Sequence, residues 1–255
     1  MSAYDAIARL YDPWSASVVE DISFYLDEAL GATAGSAAGQ AGGARPKDRT
    51  PSASRGPVVE LGVGTGRIAI PVAMAGVDVI GVDSSAGMLA VCRQRADEAG
   101  VGDRIDLRLG DLRTPPVDEL VPLVTCPFRA YLHLRDDGER LEALRAAREL
   151  LRPDGRLVFD VFTPSRGDIE ETHGRWIQRE PGIDERADWD LAAQTLTLSV
   201  RGPAGESTMT LWWLEPGRWH MLLAEAGFDV LACYGWFDRR PFAGGEDSVW
   251  IASRK

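Results

Sequence analysis

The sequence of 255 residues predicts an α/β fold, in which helices cover both faces of a parallel sheet. The main observation is that short apolar runs alternate with helical patterns between residues 58 and 162. A second observation is the glycine-rich turn that joins the first of these runs, Val58–Leu61, to the helix after it. Parallel strands need long crossover connections, usually helices, and the alternation therefore indicates a parallel sheet.

Two segments precede the sheet. Residues 3–30 carry apolar side chains near a period of 3.6, broken at Asp12-Pro13, and this pattern predicts a short helix followed by a longer one. Residues 31–57 contain no large apolar side chain, which predicts a flexible surface loop. The helices before the loop are too few to hold a core alone, so the loop is not a domain boundary.

The elements of the sheet follow in order along the chain. Strands are predicted at 58–61, 77–82, 105–109, 120–125 and 156–162, and helices at 66–76, 85–99 and 136–151. Pro122 has no backbone N–H to donate, which predicts an irregularity in the fourth strand. Arg152–Gly155 is predicted to turn into the fifth strand.

The pattern changes after residue 163 to an alternation of apolar and polar side chains, which is typical of antiparallel strands. Such strands are predicted at 175–179, 195–201 and 207–214, and a helix at 216–226 with Gly227 as its C-terminal cap. Two strands, 229–234 and 248–252, close the chain. The sequence thus predicts a single domain, 1–255, whose parts are 1–30, 31–57, 58–162, 163–214 and 215–255.

Composition excludes several classes of protein. The 28 basic and 39 acidic residues leave a net charge of −11, which argues against nucleic-acid and anionic membrane partners. No apolar run is long enough to cross a membrane, no signal peptide is visible, and the three cysteines share no metal-like spacing. We therefore expect a cytoplasmic protein without a metal site. The lysines, Lys47 and Lys255, are both poorly placed for Schiff-base, P-loop or Tyr/Lys dehydrogenase chemistry.

The turn after the first strand reads Glu60-Leu61-Gly62-Val63-Gly64-Thr65-Gly66-Arg67. Glycines permit a tight turn and a close approach of a ligand to the main chain, and the next helix begins with unpaired N–H groups. The spacing of Gly62, Gly64 and Gly66 differs from the G-x-G-x-x-G of dinucleotide enzymes. Arg67 is predicted to form a surface salt bridge.

Acidic residues end the first three strands. Asp83 ends the second strand, 23 residues after Glu60, where a carboxylate can accept both ribose hydroxyls. Asp111 ends the third strand and can accept from an adenine amino group while Leu112 packs on the ring. Three carboxylates at one edge of a sheet would repel a pyrophosphate, and the pattern therefore predicts a site for adenosine without phosphates.

These motifs, with Gly81–Leu89 and Leu150–Leu157, resemble the class I S-adenosylmethionine-dependent methyltransferases, strongly over residues 58–162 and more loosely from 205 onward. The resemblance implies a Rossmann-like, doubly wound sheet of seven strands with the last one antiparallel, and S-adenosyl-L-methionine as cofactor, leaving S-adenosyl-L-homocysteine as product. The cofactor-binding residues it implies are Glu60, Gly62, Gly64, Gly66, Asp83, Ser84, Met88, Asp111 and Leu112. The glycines would line the methionine end.

The segment Cys126–Leu134 resembles the region that carries acceptor contacts in small-molecule members of this family. His133 would serve as a general base, because the unperturbed pKa of histidine is about 6.5. The alternative is a structural histidine that caps a turn. Arg129 and Tyr131 alternate with His133, so an extended segment would bring all three to one side, where they could contact the substrate. Arg129 would then bind a substrate carboxylate or pair with a neighbouring acid.

Aromatic residues at both ends of the chain complete the predicted site. Tyr4 and Tyr11 are seven residues apart on one helix face, in a pattern that resembles the N-terminal lid of natural-product and amine methyltransferases. Tyr11 is predicted to be catalytic and Tyr4 to contact the substrate. Seven of the eight tryptophans follow residue 175, and adjacent Trp212 and Trp213 would face opposite sides of a strand. Trp213 is predicted to contact the substrate, while most of the others cover the sheet.

Three functional hypotheses follow. The leading one is a methyltransferase that acts on the nitrogen, or else the oxygen, of a small-molecule acceptor. The second is a regulatory partner protein that binds the same cofactor without catalysis. The third, a nicotinamide-dependent oxidoreductase, is disfavoured by the glycine spacing and by the absence of a suitable lysine. The sequence leaves a homodimer open.

Overall fold

The computed structural model describes residues 19–34, 56–203 and 205–255. Tyr4, Tyr11 and most of the predicted 31–57 loop lie outside these ranges. The strands are β1 (Val58–Leu61), β2 (Val79–Asp83), β3 (Ile105–Leu109), β4 (Val121–Cys126), β5 (Leu151–Phe162), β6 (Trp176–Glu180), β7 (Ile183–Asp190), β8 (Thr195–Gly202), β9 (Gly205–Trp212), β10 (Phe228–Tyr234) and β11 (Asp247–Arg254).

Seven of these strands form one sheet in the order β10-β11-β5-β4-β1-β2-β3. Strands β1 to β5 pair in parallel, whereas β11 is antiparallel to both of its neighbours, β5 and β10. Every residue of β1 and β4 is buried, as expected for central strands covered on both faces. The predicted α/β fold, with seven strands and an antiparallel last strand, is confirmed.

The helices are α1 (Glu20–Thr33), α2 (Ala69–Met74), α3 (Ala86–Glu98), α4 (Asp137–Leu150), α5 (Arg166–Thr172) and α6 (Pro216–Glu225). Side-chain caps begin three of them: the hydroxyls of Ser85 and Ser165 accept a hydrogen bond at the starts of α3 and α5, and the carboxylate of Asp136 does so for α4. Gly227 follows α6 with φ 87°, the left-handed conformation expected after a helix end. Within the described ranges, no helix combines the length and apolarity that crossing a bilayer requires.

The structure differs from the predicted boundaries at the start of β5 and at the end of α1. The ladder between β4 and β5 shifts at the predicted Pro122, because Val121 pairs with Leu151 whereas Leu123 pairs with Arg156. The predicted turn at 152–155 therefore lies inside β5 as a bulge, and the strand begins earlier than expected. Helix α1 continues to Thr33, three residues into the predicted loop, because Ala32 is buried against the core.

Strands β6 to β9 form a second, antiparallel sheet in sequential order, the predicted insertion. The sequence did not predict β7 or helix α5. Only Ile183 and Ala187 of β7 are buried, and its other residues are mostly charged. The alternation of apolar and polar residues is therefore too weak to predict this strand. Val200 and Leu211 of the insertion belong to the same hydrophobic cluster as β4, β5 and α4, so the two sheets share a core.

Candidate active site

The turn between β1 and α2 is shaped by three glycines with positive φ, at 75° for Gly62, 54° for Gly64 and 83° for Gly66. A side chain at Gly66 would meet the neighbouring helix, since its Cβ would lie 2.6 Å from the sulfur of Cys92. Gly62 and Gly64 instead line a cavity. A Cβ at Gly62 would also lie 2.9 Å from that of Ala130, so the glycines permit close packing at Gly62 and Gly66 as well as the positive φ of the turn.

Asp83 ties this turn to the next strand. One carboxylate oxygen accepts from the N–H of Gly64 at 2.8 Å, and the other accepts from the N–H of Ser85 at 2.8 Å. The carboxylate therefore links the glycine turn to the start of α3. Ser84 and Met88 line the same cavity beside it.

Asp111 and Leu112 lie at the other end of the cavity, after β3. The guanidinium of Arg113 donates to Asp111 at 2.7 and 2.9 Å, and this hydrogen bonding lowers the pKa of the Asp111 carboxyl. Arg113 also donates to Glu139 at 2.9 Å. Sequence reasoning missed Arg113, which lines the cavity and neutralises part of its charge.

The cavity has a volume of about 510 Å³, within the range of small-molecule sites. Seven of the nine predicted cofactor residues line it, namely Gly62, Gly64, Asp83, Ser84, Met88, Asp111 and Leu112. Glu60 and Gly66 are not among its lining residues. The carboxylates of Asp83 and Asp111, with an arginine already engaged by two carboxylates, suit an adenosine that carries no phosphate. The charged groups that line the cavity therefore fit the predicted cofactor.

Glu60 is only 3% exposed, at the end of β1. Burial raises its pKa to about 8, an effect that Arg67 opposes and that Asp21 and Asp83 reinforce. The carboxyl is consequently protonated at neutral pH. The protonated carboxyl of Glu60 adds no negative charge next to the cavity.

Arg67 lies inside the protein, and the expectation of a surface salt bridge was wrong. Its side chain is 13% exposed and donates to the buried carboxylate of Asp21 in α1 at 2.7 Å. The guanidinium also lies 4.6 Å from the ring centroid of Phe128, a cation–π contact. Arg67 thereby connects α1 to the segment after β4.

A second cavity, of about 460 Å³, lies between the ends of the parallel strands and the insertion sheet. Leu196, Leu198, Met209 and Leu211 of the insertion contribute apolar surface. Phe128 and His133 line this cavity as well as the first one. The two cavities are therefore adjacent, and we call them the cofactor cavity and the acceptor cavity.

The acceptor cavity is strongly acidic. Its lining includes seven carboxyl groups, those of Glu20, Asp21, Asp160, Asp168, Glu185, Glu246 and Asp247. The two guanidinium groups of the lining are paired, Arg129 with Asp247 at 2.9 Å and Arg179 with Glu185 at 3.6 Å. A hydrogen bond with Asp168 raises the pKa of Glu246. Asp21 is paired with Arg67 and Asp160 accepts from Tyr25, so the carboxyl groups that favour a cationic ligand are chiefly Glu20, Asp168 and Glu246.

His133 lies at the junction of the two cavities, on a short 3-10 turn formed by Ala130–His133. Burial lowers its pKa to about 4, so the imidazole is neutral at physiological pH. The ordinary value expected from the sequence is therefore wrong for this environment. A neutral imidazole at this position can accept a hydrogen bond from a ligand in either cavity.

Two predicted substrate contacts lie away from both cavities. The segment after β4 winds into the 3-10 turn instead of extending, and it places Tyr131 in the core at 0% exposure, 5.2 Å from the Phe159 ring. Trp213 follows β9 and is also buried in the core at 7% exposure. These two predictions are corrected, since the described lining includes neither side chain. Arg129 does line the acceptor cavity, with its guanidinium on Asp247.

Two other tryptophans, Trp189 and Trp236, line the acceptor cavity instead. The indole N–H of Trp189 donates to the hydroxyl of Thr172 at 2.9 Å, and its ring packs edge-on against Phe162. Trp189 belongs to β7, the strand that the sequence did not predict. The predicted Tyr4 and Tyr11 contacts lie outside the described residues.

Comparison with known proteins places the sheet in a family. A family model described as "Methyltransferase domain" matches residues 58–155. A demethylmenaquinone methyltransferase from Renibacterium salmoninarum is 29% identical over 164 residues, which cover 63% of this chain and 65% of that protein. A ubiquinone biosynthesis O-methyltransferase from Azorhizobium caulinodans is 32% identical over 110 residues, 41% of this chain and 40% of that protein. The chain thus spans less than two thirds of the length of these relatives.

Solved structures extend the likeness to the remainder of the chain. The CcbJ methyltransferase from Streptomyces caelestis aligns with a TM-score of 0.81 at 26% identity, covering 100% of this chain and 99% of that one. The amino pentose methyltransferase CalS10 from Micromonospora echinaspora, bound to S-adenosylmethionine, shares the fold with a TM-score of 0.63 at 19% identity over 100% and 98% of the two chains. The glycine turn, Asp83 and Asp111 lie at the strand ends of such a sheet, and residues 58–155 form an S-adenosylmethionine-dependent methyltransferase domain.

Proposed function

We propose that the protein transfers a methyl group from S-adenosylmethionine to the nitrogen of a small-molecule amine. The observation that carries this proposal is the acidic, aromatic-lined cavity that meets the cofactor cavity at Phe128 and His133. The cofactor, when bound, supplies an electrophilic methyl group on a positively charged sulfur. Asp83, Asp111 and the glycine turn would hold it in the cofactor cavity.

The lining of the acceptor cavity supports an amine over other acceptors. Carboxyl groups attract an ammonium ion and repel carboxylates and phosphates. The rings of Trp189 and Trp236 offer further surface to a cation. Proteins of this fold include the sugar N-methyltransferase KedS8 and the glycopeptide N-methyltransferase MtfA.

The location of His133 at the junction of the two cavities supports the proposal. An amine attacks through its lone pair, so it must first lose its extra proton, and its remaining N–H groups need acceptors. The neutral imidazole provides an acceptor beside the cofactor cavity. Its low pKa makes it a weak base, so we assign orientation of the amine as its main role, with proton transfer as a secondary contribution.

The test is a methylation screen. The protein is incubated with S-adenosylmethionine and with separate panels of aliphatic amines, aminosugars, phenols and carboxylic acids, and the products are analysed by mass spectrometry. We expect gain of a methyl group in the amine panels. Methylation confined to phenols or acids would contradict the proposal, and cofactor binding without any product would favour the regulatory partner.

A pair of variants tests the acidic lining. The double variant Asp168→Asn/Glu246→Gln should lower kcat/KM for an amine found in the screen by about tenfold, because it removes two carboxyl groups from the cavity. The matched control is Asp106→Asn, an exposed carboxylate on β3. Equal rates in the double variant and the control would count against recognition of a cation.

A further inference from the structure

The turn after β4 contains two consecutive residues in a conformation that L-amino acids avoid. Phe128 has φ 54° and Arg129 has φ 63°, and neither is a glycine. Side chains in this left-handed region crowd the backbone, and such residues persist only where their surroundings hold them. The strained pair lies where the two cavities meet, because Phe128 lines both of them.

The carboxylate of Asp160 holds this turn. It is 6% exposed, near the end of β5, and its two oxygens accept from the N–H of Phe128 at 2.8 Å and from the N–H of Arg129 at 3.2 Å. Successive N–H groups in such a turn form a concavity that suits an anion. Here the anion is a side chain of the protein itself.

Helix α1 supports both the carboxylate and the ring. The hydroxyl of Tyr25 donates to Asp160 at 2.6 Å, and Asp21 pairs with Arg67, whose guanidinium covers the Phe128 ring. Asp21 and Tyr25 are four residues apart and lie on one face of the helix. The backbone and the ring of Phe128 are therefore fixed from the same element.

We propose that Asp160 is a positioning residue that holds the Phe128–Arg129 turn in its left-handed conformation and so fixes the Phe128 ring between the cofactor and acceptor cavities. Tyr25 acts through Asp160. Naming the second cavity as the acceptor side rests on the proposed function. The effect of Asp160 on the cofactor cavity is independent of that function, and the test therefore measures ligand binding in the cofactor cavity.

The test compares Asp160→Asn with the wild-type protein. An amide keeps the size of the carboxylate but turns one of the two acceptors into a donor, which faces a backbone N–H. We expect the amides of Phe128 and Arg129 to exchange with solvent at least tenfold faster by NMR. The Kd for S-adenosylhomocysteine, measured by calorimetry, should rise about fivefold as Phe128 loses its place in the lining. Unchanged exchange and affinity would overturn the proposal.

A glycine substitution separates positioning from general stability. Arg129→Gly removes the conformational strain at one position, since glycine adopts positive φ freely. In that background, Asp160→Asn should change the S-adenosylhomocysteine Kd by less than twofold. An undiminished effect in the glycine background would refute the role of Asp160 in holding the turn.

Two measurements keep the test decisive if Asp160→Asn alone does not fold. The double variant Asp160→Asn/Arg129→Gly should fold and bind S-adenosylhomocysteine within about twofold of Arg129→Gly, and an unfolded double variant would refute the proposal. Tyr25→Phe, which leaves both backbone acceptors in place, should accelerate exchange at Phe128 less than Asp160→Asn does. A protein that binds S-adenosylhomocysteine but methylates nothing would defeat the proposed function and leave this test unaffected.

Discussion

The two cavities are built in different ways. The cofactor cavity uses residues that directly follow the parallel strands, and its central contact joins a carboxylate to backbone N–H groups. The acceptor cavity collects side chains from α1, the end of β5, the insertion sheet and the segment before β11. A site made at strand ends depends on a short local pattern, whereas a site made between sheets depends on how distant parts of the chain meet. Substitutions in each cavity can test whether the two are also functionally separate.

The largest effect is expected at the junction. His133→Ala should lower turnover of an amine about 10²-fold, at the low end of the range for proton-transfer groups, because the imidazole is a weak base that also orients the amine. The Kd for S-adenosylhomocysteine should stay within about threefold. Steady-state kinetics together with calorimetry would separate the two quantities, and retained turnover would exclude His133 from catalysis.

The pH profile gives a second result from the same variant. Because the pKa of His133 is about 4, the imidazole carries no proton to lose between pH 6 and 9. Over this range the wild-type enzyme and His133→Ala should therefore show the same dependence of turnover on pH. A titration near pH 6.5 seen only in the wild type would contradict the effect of burial.

On the cofactor side, Asp83→Ala should weaken S-adenosylmethionine binding by roughly 1.5–3 kcal/mol, or tenfold and more. The carboxylate holds the N–H groups of Gly64 and Ser85, so its loss also loosens the turn. The control is Asp78→Ala, an exposed carboxylate before β2 that pairs with Arg104. Calorimetry that found equal affinities for the two variants would refute the assignment of Asp83.

Glu60 should make stability depend on pH. Its pKa is about 8 in the folded protein and near the ordinary value when unfolded, so the unfolded state loses this proton first as the pH rises. The contribution is complete at acidic pH and is lost toward pH 8, at up to about 1.4 kcal/mol per pH unit. Urea unfolding of Glu60→Gln at pH 6 and 7.5 should show a smaller decline than wild type, whereas the exposed control Glu98→Gln should not. An identical decline in Glu60→Gln would contradict the raised pKa.

The smallest effect is expected on the acceptor side. Trp189→Phe removes the hydrogen bond to Thr172, which contributes about 0.5–1 kcal/mol. The KM for an amine should therefore rise a few-fold, and the Kd for S-adenosylhomocysteine should not change. Trp176→Phe on β6, which lies outside the described lining of both cavities, is the control. A change in cofactor affinity in Trp189→Phe would show that the cavities are coupled.

The same contrast explains how much could be predicted from the sequence. The cofactor cavity was largely predictable, because Gly64, Asp83 and Asp111 occur at fixed distances after apolar runs. Arg113 was missed because nothing in its spacing distinguishes it from a surface arginine. Its role depends on a fold that returns Glu139 to the end of β3.

The acceptor cavity was hardly predictable. Tyr131 was misplaced because a single 3-10 turn moves every side chain after β4 relative to an extended chain. Asp160 was overlooked because its role requires the end of β5 to meet both α1 and the turn at Phe128. Contacts of this kind join residues more than 30 positions apart, and no periodicity records them.

The position of β11 has a consequence for the synthesis of the protein. β11 comes after β10 in the chain but lies between β10 and β5, so β10 reaches the sheet only through it. While the chain grows on a ribosome, β10 has no strand to join, and the edge of β5 stays open until Asp247–Arg254 has emerged. An open edge invites pairing with other chains. A nascent chain stalled before β11 would therefore expose an unpaired β10 together with the open edge of β5, and such intermediates should depend on chaperones more than the first five strands do.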